Sequence, residues 1–514
     1  MAPPNEKLAF ALRELHEKGE LRIFTTNDFS RVVRERLVNS GYLTPIIRGW
    51  FYQSNPQAAP GDTTQWSASY WDFLKAYCEH RFGQRWTLSA HQSLMIAGGN
   101  TSIPEQMTVS SPLGDNNLIK LPLGMSIYVL KSDTREELVT TSALLPDINV
   151  LRPAYAMTQV SDSFFAHNPV EASVVLSQIK DASEILRYLI DADASVVAGR
   201  LVGAFEHVGR TRVASEIEKT MTAAHYNVRK QDPFTRPVAR IEISNKSPLV
   251  SRMTALWGSA RESVIDAFPP APGLPGNEAD YLSAIDDVFT TDAYHSLSIE
   301  GYRVTHELIE RIHSGEWDEA NNEEDRKSRD AMAARGYWDA FQNVKKAISK
   351  IIAGDDPTKL IDDHHREWFR DLFQPSVNAG LVQARNLAGY RNHPIYLNGS
   401  NYVPPRQEMV PDGMEALIDL MAAEPEASVR AVLGHWLFGY VHPYPDGNGR
   451  VSRFVMNAQL ASGGYPWTVI RVEDRSAYLK GLDAASIKGD LTPFASLIAD
   501  RVMATTYELG LMRP

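Results

Sequence analysis

From about residue 280 to 510, apolar positions recur at helical spacing in runs separated by Gly, Pro and Asn breaks. The most apolar run, 427–440, has to stop at Pro443, and helical spacing resumes at Val451. The stretch between, His442-Pro-Tyr-Pro-Asp-Gly-Asn-Gly-Arg450, is therefore read as a loop entering a helix N-terminus. In the same half, Pro394–Val403 is rich in strand formers around Asn398-Gly399, a strong turn dipeptide, and predicts a short hairpin. Upstream the pattern changes at Phe268-Pro-Pro-Ala-Pro-Gly-Leu-Pro-Gly276, which can be neither helix nor central strand and marks the clearest boundary. Before it, 169–225 is helical, with Val174, Val175, Leu176, Ile179, Leu186, Leu189 and Ile190 in register, and Ala198–Phe205 offers small residues for close helix contact. Residues 61–145 mix helix and strand.

Between Leu8 and Trp50 the pattern is short helices, a turn and a strand pair, with Thr25 to Asp28 as helix caps and Gly49 turning the chain into Trp50. That order is winged-helix-like. Arg31, Arg34, Arg36 and Arg48 give this piece a local positive excess, which suits DNA, a protein partner or a merely solvated face. The expected organisation is a winged-helix-like domain at 1–60, an α+β and helical region at 61–230, a connector with the Pro-rich linker at 231–279, and a helical domain at 280–510. The fold class is mainly α, with a β-hairpin flap and an α+β N-terminal region.

At 514 residues the chain needs more than one core, and 43% hydrophobic with 22% charged residues is ordinary globular composition. No apolar run is long enough for a membrane helix, and the N-terminus carries neither signal nor lipidation pattern. One cysteine, Cys78, excludes an internal disulfide and a Cys-rich zinc site. A cytoplasmic location is expected. The net charge of −11 argues against nonspecific nucleic-acid binding by the whole chain.

The loop at 442–450 carries the chemistry. Gly447, Asn448 and Gly449 lie where backbone N–H groups lack helical partners, which makes an anion cradle suited to phosphate. Arg450 and Arg453, three apart, project from one face of the first turn, and guanidinium forks match phosphate oxygens. Asp446 beside such a cradle calls for a bridging cation, so a Mg2+–nucleotide is implied. His442 at the loop entrance can be neutral at physiological pH and take a proton from a hydroxyl. Turn chemistry alone explains the prolines and glycines, but not His, Asp and two arginines arriving together.

His442-Pro-Tyr-Pro-Asp-Gly-Asn-Gly-Arg-Val-Ser-Arg453 resembles the Fic motif His-Pro-Phe-x-Asp/Glu-Gly-Asn-Gly-Arg-x-x-Arg, with Tyr444 in place of the usual Phe. The resemblance implies a protein adenylyltransferase that moves AMP from ATP to a hydroxyl on a target protein. His442 would be the base, Asp446 the Mg2+ ligand, and Gly447 to Gly449 with Arg450 and Arg453 the phosphate contacts. The likeness takes in Gly389-Tyr390-Arg391 and the segment Leu397, Asn398, Gly399 and Ser400, similar to the family's flap that aligns a target by strand addition. Tyr478 matches a position near the adenine. Ser296-Leu-Ser-Ile-Glu300-Gly301 resembles the inhibitory motif Ser/Thr-x-x-x-Glu-Gly, which implies that Glu300 pairs with Arg453 and restrains the enzyme. Removal of AMP at the same site is an open alternative. Residues 1–230 resemble AbiEi-type abortive-infection antitoxins in Arg48-Gly-Trp-Phe-Tyr52 and Arg152-Pro-Ala-Tyr-Ala156, which leaves a DNA-binding regulator fused to a restrained Fic toxin as a third reading. A homo-oligomer stays open.

Three features are discounted. Asp362-Asp-His-His365 looks like a metal cluster, but consecutive helical residues point in different directions. His435 is read as a core histidine, and the acidic run 321–327 as an exposed loop.

Overall fold

The computed structural model describes residues 4–19, 21–133, 136–142, 144–145, 147–235, 247–316 and 328–508. The acidic run 321–327 lies outside them. The chain forms two compact units, one of Met1–Ser244 with Ile395–Val403, the other of Asn245–Pro394 with Pro404–Pro514.

The first unit begins with helix Pro4–Glu17, strand β1 (Ile23–Thr25), helix Arg31–Asn39, and strands β2 (Leu43–Ile47) and β3 (Trp50–Gln53). These strands form an antiparallel sheet in the order β1-β3-β2, closed over Ala11, Leu15, Phe24, Phe29, Val33, Leu37 and Leu43. Gly49, at φ 88°, makes the turn between β2 and β3. The helix cap is Ser30, whose hydroxyl accepts from the Val33 N–H at 3.3 Å. Thr25 and Asp28, expected to cap it, instead bond each other, with the Thr25 hydroxyl donating to Asp28 Oδ2 at 2.8 Å. Three of the four arginines are engaged within the fold: Arg31 with Glu35, Arg34 with the Thr26 carbonyl and Arg36 with the Lys7 carbonyl.

Helix Thr64–Phe82, with Cys78 buried, leads to strands β4 (Thr87–Leu88), β5 (Gln106–Ser111), β6 (Asn117–Lys120) and β7 (Ser126–Lys131), ordered β4-β5-β7-β6 with only β5 and β7 parallel. Strands β8 (Val139–Thr141) and β9 (Asn149–Leu151) pair separately, and helices between Pro153 and Ala223 complete the unit around a second core. The small residues of 198–205 do permit a close approach, but to an extended segment. A Cβ on Gly199 would stand 2.0 Å from the Arg229 carbonyl oxygen, and one on Gly203 2.1 Å from that of Gln231.

The second unit is helical among its described residues. Helices Ala427–Val441 and Asn448–Ser462 are buried along almost their whole length, as their apolar sequence requires. Around them pack Pro248–Ala267, Glu278–Ile299, Arg329–Ile352, Pro357–Asn378, Val410–Ala423, Arg475–Lys488 and Thr492–Glu508. The Pro-rich stretch is non-helical as expected, yet it is no boundary. It lies inside this unit, where the Gly273 N–H donates to the Gly463 carbonyl at 3.0 Å and the Tyr465 hydroxyl to the Pro269 carbonyl at 2.7 Å.

The expected hairpin at 394–403 also needs correction. The turn is present, with the Ser400 N–H on the Leu397 carbonyl at 3.2 Å and Gly399 at φ 76°, but the flanking residues form no strands. The Gly399 N–H and the Asn401 carbonyl bond instead to Thr63 and Ile103 of the same unit. No described helix is long and apolar enough to cross a membrane.

Replacing Gly203 with Ala forces a methyl group against a backbone carbonyl and is expected to destabilise the first unit by about 1–3 kcal/mol. Thermal unfolding followed by calorimetry checks this; an unshifted transition would mean that the 229–232 segment yields freely.

Candidate active site

Helix Ala427–Val441 ends at His442, which adopts left-handed backbone angles (φ 52°, ψ 60°) with its N–H on the Phe438 carbonyl at 2.9 Å. A non-glycine residue there costs on the order of 1 kcal/mol. Arg391 offsets it. Its Nε donates to the His442 carbonyl at 2.7 Å, its backbone N–H to the Pro443 carbonyl at 2.8 Å, and its Nη atoms reach the carbonyls of His393 and Pro405. The His442 Nδ1 lies 3.2 Å from the Gly439 carbonyl, which assigns the proton to Nδ1 and leaves Nε2 as an acceptor. Burial pushes the imidazole pKa down to about 4, so the ring is neutral at pH 7.

The next residues are fastened from both sides. The Tyr444 ring lies flat on Phe369, with centroids 3.9 Å apart and planes 3° from parallel, and its hydroxyl is 2.7 Å from His365 Nδ1. Asn448 closes the loop with its side chain, accepting from the Tyr444 N–H at 2.9 Å and donating to the Tyr444 carbonyl at 2.8 Å. Gly447 is required by its backbone angle, and both glycines leave room for a close neighbour. A Cβ on Gly447, itself at φ 80°, would meet Phe373 at 2.8 Å, and one on Gly449 would meet Glu300 Oε1 at 2.3 Å.

The two arginines follow on the first turn of helix Asn448–Ser462. Arg450 is 1% exposed, with its guanidinium 5.2 Å from the centre of the Tyr302 ring and 4.9 Å from that of Phe373. Its Nη2 is 3.5 Å from Asp446 Oδ1, while Nε and Nη1 are buried without a hydrogen-bond partner among the described residues. Arg453 donates from Nε to Ser296 Oγ at 2.9 Å and from Nη2 to Glu300 Oε1 at 2.8 Å, and its Nη1 is likewise unpartnered. Glu300 follows helix Glu278–Ile299, which Gly301 (φ 84°) terminates. Burial works to raise the Glu300 pKa, but Arg453 and then Arg450 outweigh it and hold the carboxyl below its usual range.

Three buried, unpartnered guanidinium nitrogens beside the first-turn N–H groups make a site that favours an anion with several acceptor oxygens. The Asp446 side chain is 59% exposed. No cluster of three or more His, Cys, Asp or Glu suited to a metal occurs among the described residues, Asp362–His365 included. A cation held through Asp446 would therefore complete its coordination with phosphate oxygens and water, the usual habit of Mg2+.

Tyr478 does not fit its expected place by an adenine. It is 3% exposed, packed against His435 and Phe494, with its hydroxyl 2.8 Å from His435 Nε2. It is a core residue that sits behind Arg453, and His435 is a core histidine. Sequence reasoning missed the clamp made by Arg391, the rings of Tyr302, Phe369 and Phe373, and His365. A signal existed for His365: it shares a helix face with Ile361, Trp368 and Phe369, and a tyrosine in a phenylalanine position needs a hydroxyl partner.

The arrangement is a helical domain with a loop-to-helix anion site. Residues 357–460 match the model of the Fic/DOC family, so the chain carries a Fic domain. That stretch includes 442–453 and 397–400 but neither Glu300 nor Tyr478. The chain is 29% identical over 253 residues to the protein adenylyltransferase Fic of Nematostella vectensis, a match covering 46% of this chain and 54% of that protein. To the protein of the same name from Drosophila willistoni it is 32% identical over 167 residues, 28% of this chain and 33% of the relative. The chain thus spans about half, or a third, of the length of these curated relatives. Among solved structures, Fic-1 from C. elegans is similar at 19% identity and a TM-score of 0.37, over 64% of this chain and 92% of that one.

The Tyr444–His365 bond has a direct test. Tyr444→Phe and His365→Leu each leave one buried polar group unpaired, whereas the double variant leaves neither member of this pair waiting for the other. The double variant is expected to lose about 1 kcal/mol less than the sum of the singles in urea unfolding; strictly additive losses would show that the two groups do not interact.

Proposed function

We propose that this chain transfers AMP from Mg2+-bound ATP to a hydroxyl side chain of a target protein. The observation that carries the reading is the set of unpartnered guanidinium nitrogens on Arg450 and Arg453, facing glycine-shaped backbone and accompanied by a neutral histidine. His442 Nε2 takes the proton of the target hydroxyl as its oxygen attacks the α-phosphorus. The bond from that phosphorus to the bridging oxygen breaks, and pyrophosphate leaves. Arg450, Arg453 and the N–H groups of Gly447, Asn448 and Gly449 hold the phosphates and stabilise the charge that builds on the leaving group. Asp446 is the residue to hold Mg2+, which when bound neutralises phosphate charge. Leu397, Asn398, Gly399 and Ser400 form the surface along which the target segment is laid.

Glu300 and Ser296 restrain this reaction. The carboxylate takes one Arg453 nitrogen and crowds Gly449, so the charge that a distal phosphate requires is already matched. The low pKa keeps Glu300 ionised at neutral pH, so nucleotide has to displace it rather than wait for its protonation. We read the N-terminal unit, with its winged-helix order of elements and antitoxin-like motifs, as a regulatory module. With Arg31, Arg34 and Arg36 engaged internally, a protein-directed role suits it better than DNA.

Glu300→Gly is expected to raise AMP transfer and automodification by at least about tenfold, the scale of one charge-assisted hydrogen bond. An unchanged rate with labelled ATP would remove the brake from this account. His442→Ala should lower transfer by a factor on the order of 10² to 10⁴ while nucleotide binding, measured by calorimetry, persists.

The pH profile tests the state of His442. Since its pKa lies near 4, the base form is complete above about pH 5 and is lost only as pH falls through that value. In the Glu300→Gly background, single-turnover rates should show no inflection from this group between pH 6 and 8. A midpoint near 6.5 would mean that the histidine titrates as if exposed.

A further inference from the structure

The segment Ile395–Val403 belongs to the first compact unit, although the chain on either side of it belongs to the second. Its backbone is engaged there at alternate residues. The Gly399 N–H donates to Thr63 Oγ1 at 2.9 Å, the Asn401 carbonyl accepts from the Ile103 N–H at 2.9 Å, and the Val403 carbonyl accepts from the Thr101 hydroxyl. The Thr63 N–H in turn donates to Asn398 Oδ1 at 3.2 Å. Asn401 and Val403, two apart, offer their carbonyls to one facing segment, whereas Gly399, at φ 76° in the turn, meets Thr63. The partners run in the opposite sense: Ile103 faces Asn401, and Thr101 faces Val403. That is the order of an antiparallel strand laid alongside, which is how strand addition engages a sheet edge or an extended loop.

The facing segment is itself held in place. The Asn100 side chain donates to the buried Glu171 carboxylate at 2.8 Å, and its carbonyl accepts from the Ser102 N–H at 2.9 Å. Asn100 is 5% exposed, so the first unit presents Thr101-Ser102-Ile103 from a fixed base. Two of these three residues carry hydroxyls.

We propose that Asn100–Ile103 is an internal stand-in for a target segment, occupying the backbone carbonyls of 401 and 403 that a target would need. The first unit thereby restrains target docking, by a means separate from Glu300. This rests on the adenylylation reading and adds to it a second requirement, that the incoming segment compete with a hydrogen-bonded piece of the same chain.

The test uses the full chain carrying Glu300→Gly in every arm, so that the nucleotide restraint is absent throughout. Thr63→Val and Thr101→Val remove the acceptor at Gly399 and the donor at Val403 while keeping side-chain shape. Combined, they are expected to speed hydrogen exchange at the Gly399 amide and to raise the initial rate of labelled-AMP transfer from ATP to lysate proteins about tenfold, the scale of two ordinary hydrogen bonds. Pyrophosphate release in the absence of lysate should stay unchanged. The Thr63→Ser, Thr101→Ser pair keeps both groups and should leave exchange and transfer as they were. Faster exchange at Gly399 with unaltered transfer would overturn the proposal alone, because the contact would then be structural only. Unaltered exchange would overturn it too, since the two threonines would not be holding the segment. If the Glu300→Gly chain labels neither itself nor any lysate protein, the adenylylation reading falls and this proposal with it.

Discussion

A guanidinium that is 3% exposed has to be matched by acceptors, and much of the second unit is arranged around that need at Arg453. Ser296 supplies a hydroxyl and a carbonyl and Glu300 a carboxylate, all from one helix end. Behind it, Asp292 accepts from Tyr337 at 2.6 Å, and burial lifts its pKa to about 6. The compensation is incomplete, because Nη1 keeps no partner. In a domain interior an unmatched donor of that kind is a cost, and it is best understood as capacity kept for a ligand. Glu300 is the one partner that is both charged and partly exposed, at 30% of its side chain. It is also the partner that sits at the end of its helix, where movement disturbs least.

The loop beside it is rigid for reasons that can be counted. A left-handed histidine is tied by Arg391, a tyrosine is stacked on Phe369 and bonded to His365, and an asparagine closes the ring of contacts. These ties are all made within the protein. Their effect is to fix His442 and the glycines before anything binds, so that donors need not reorganise as charge develops. Neutral histidines at 365, 435 and 442, the first two buried and the third partly so, each with its pKa lowered by desolvation, keep positive charge confined to the arginines.

The part of this that could be read from sequence is the part whose residues are contiguous. A helix that must stop at Pro443 and restart after Gly447 delimits the loop without further help, and His, Asp and two arginines within it announce an anion site. Glu300 stands 153 residues before Arg453, and only a resemblance joined them; a carboxylate at a helix end is otherwise one charge among many. Tyr478 shows the opposite failure, since a motif position was taken for a ligand contact where packing had claimed the ring. The Pro-rich stretch was legible as irregular chain but not as part of the second unit, because proline reports backbone angles and says nothing of which body the chain belongs to. At 394–403 the turn was legible in Asn398-Gly399, while the lack of strands on either side of it was not. Strand pairing depends on which backbone is nearest, and that choice is tertiary.

The two restraints inferred for this chain differ in what can relieve them. Glu300 is held by charge, in a setting where only a group of comparable negative charge can take its place at Arg453; a phosphate does so and a peptide backbone does not. The edge at 399–403 is held by neutral hydrogen bonds, which any extended segment of suitable side chains can replace at little net difference in energy. The first restraint therefore responds to nucleotide and the second to target. Because neither ligand substitutes for the other, relief of one leaves the other in force. Under these two proposed restraints, ATP alone would leave the second in force, and activity would be decided by whatever competes for the segment at 399–403.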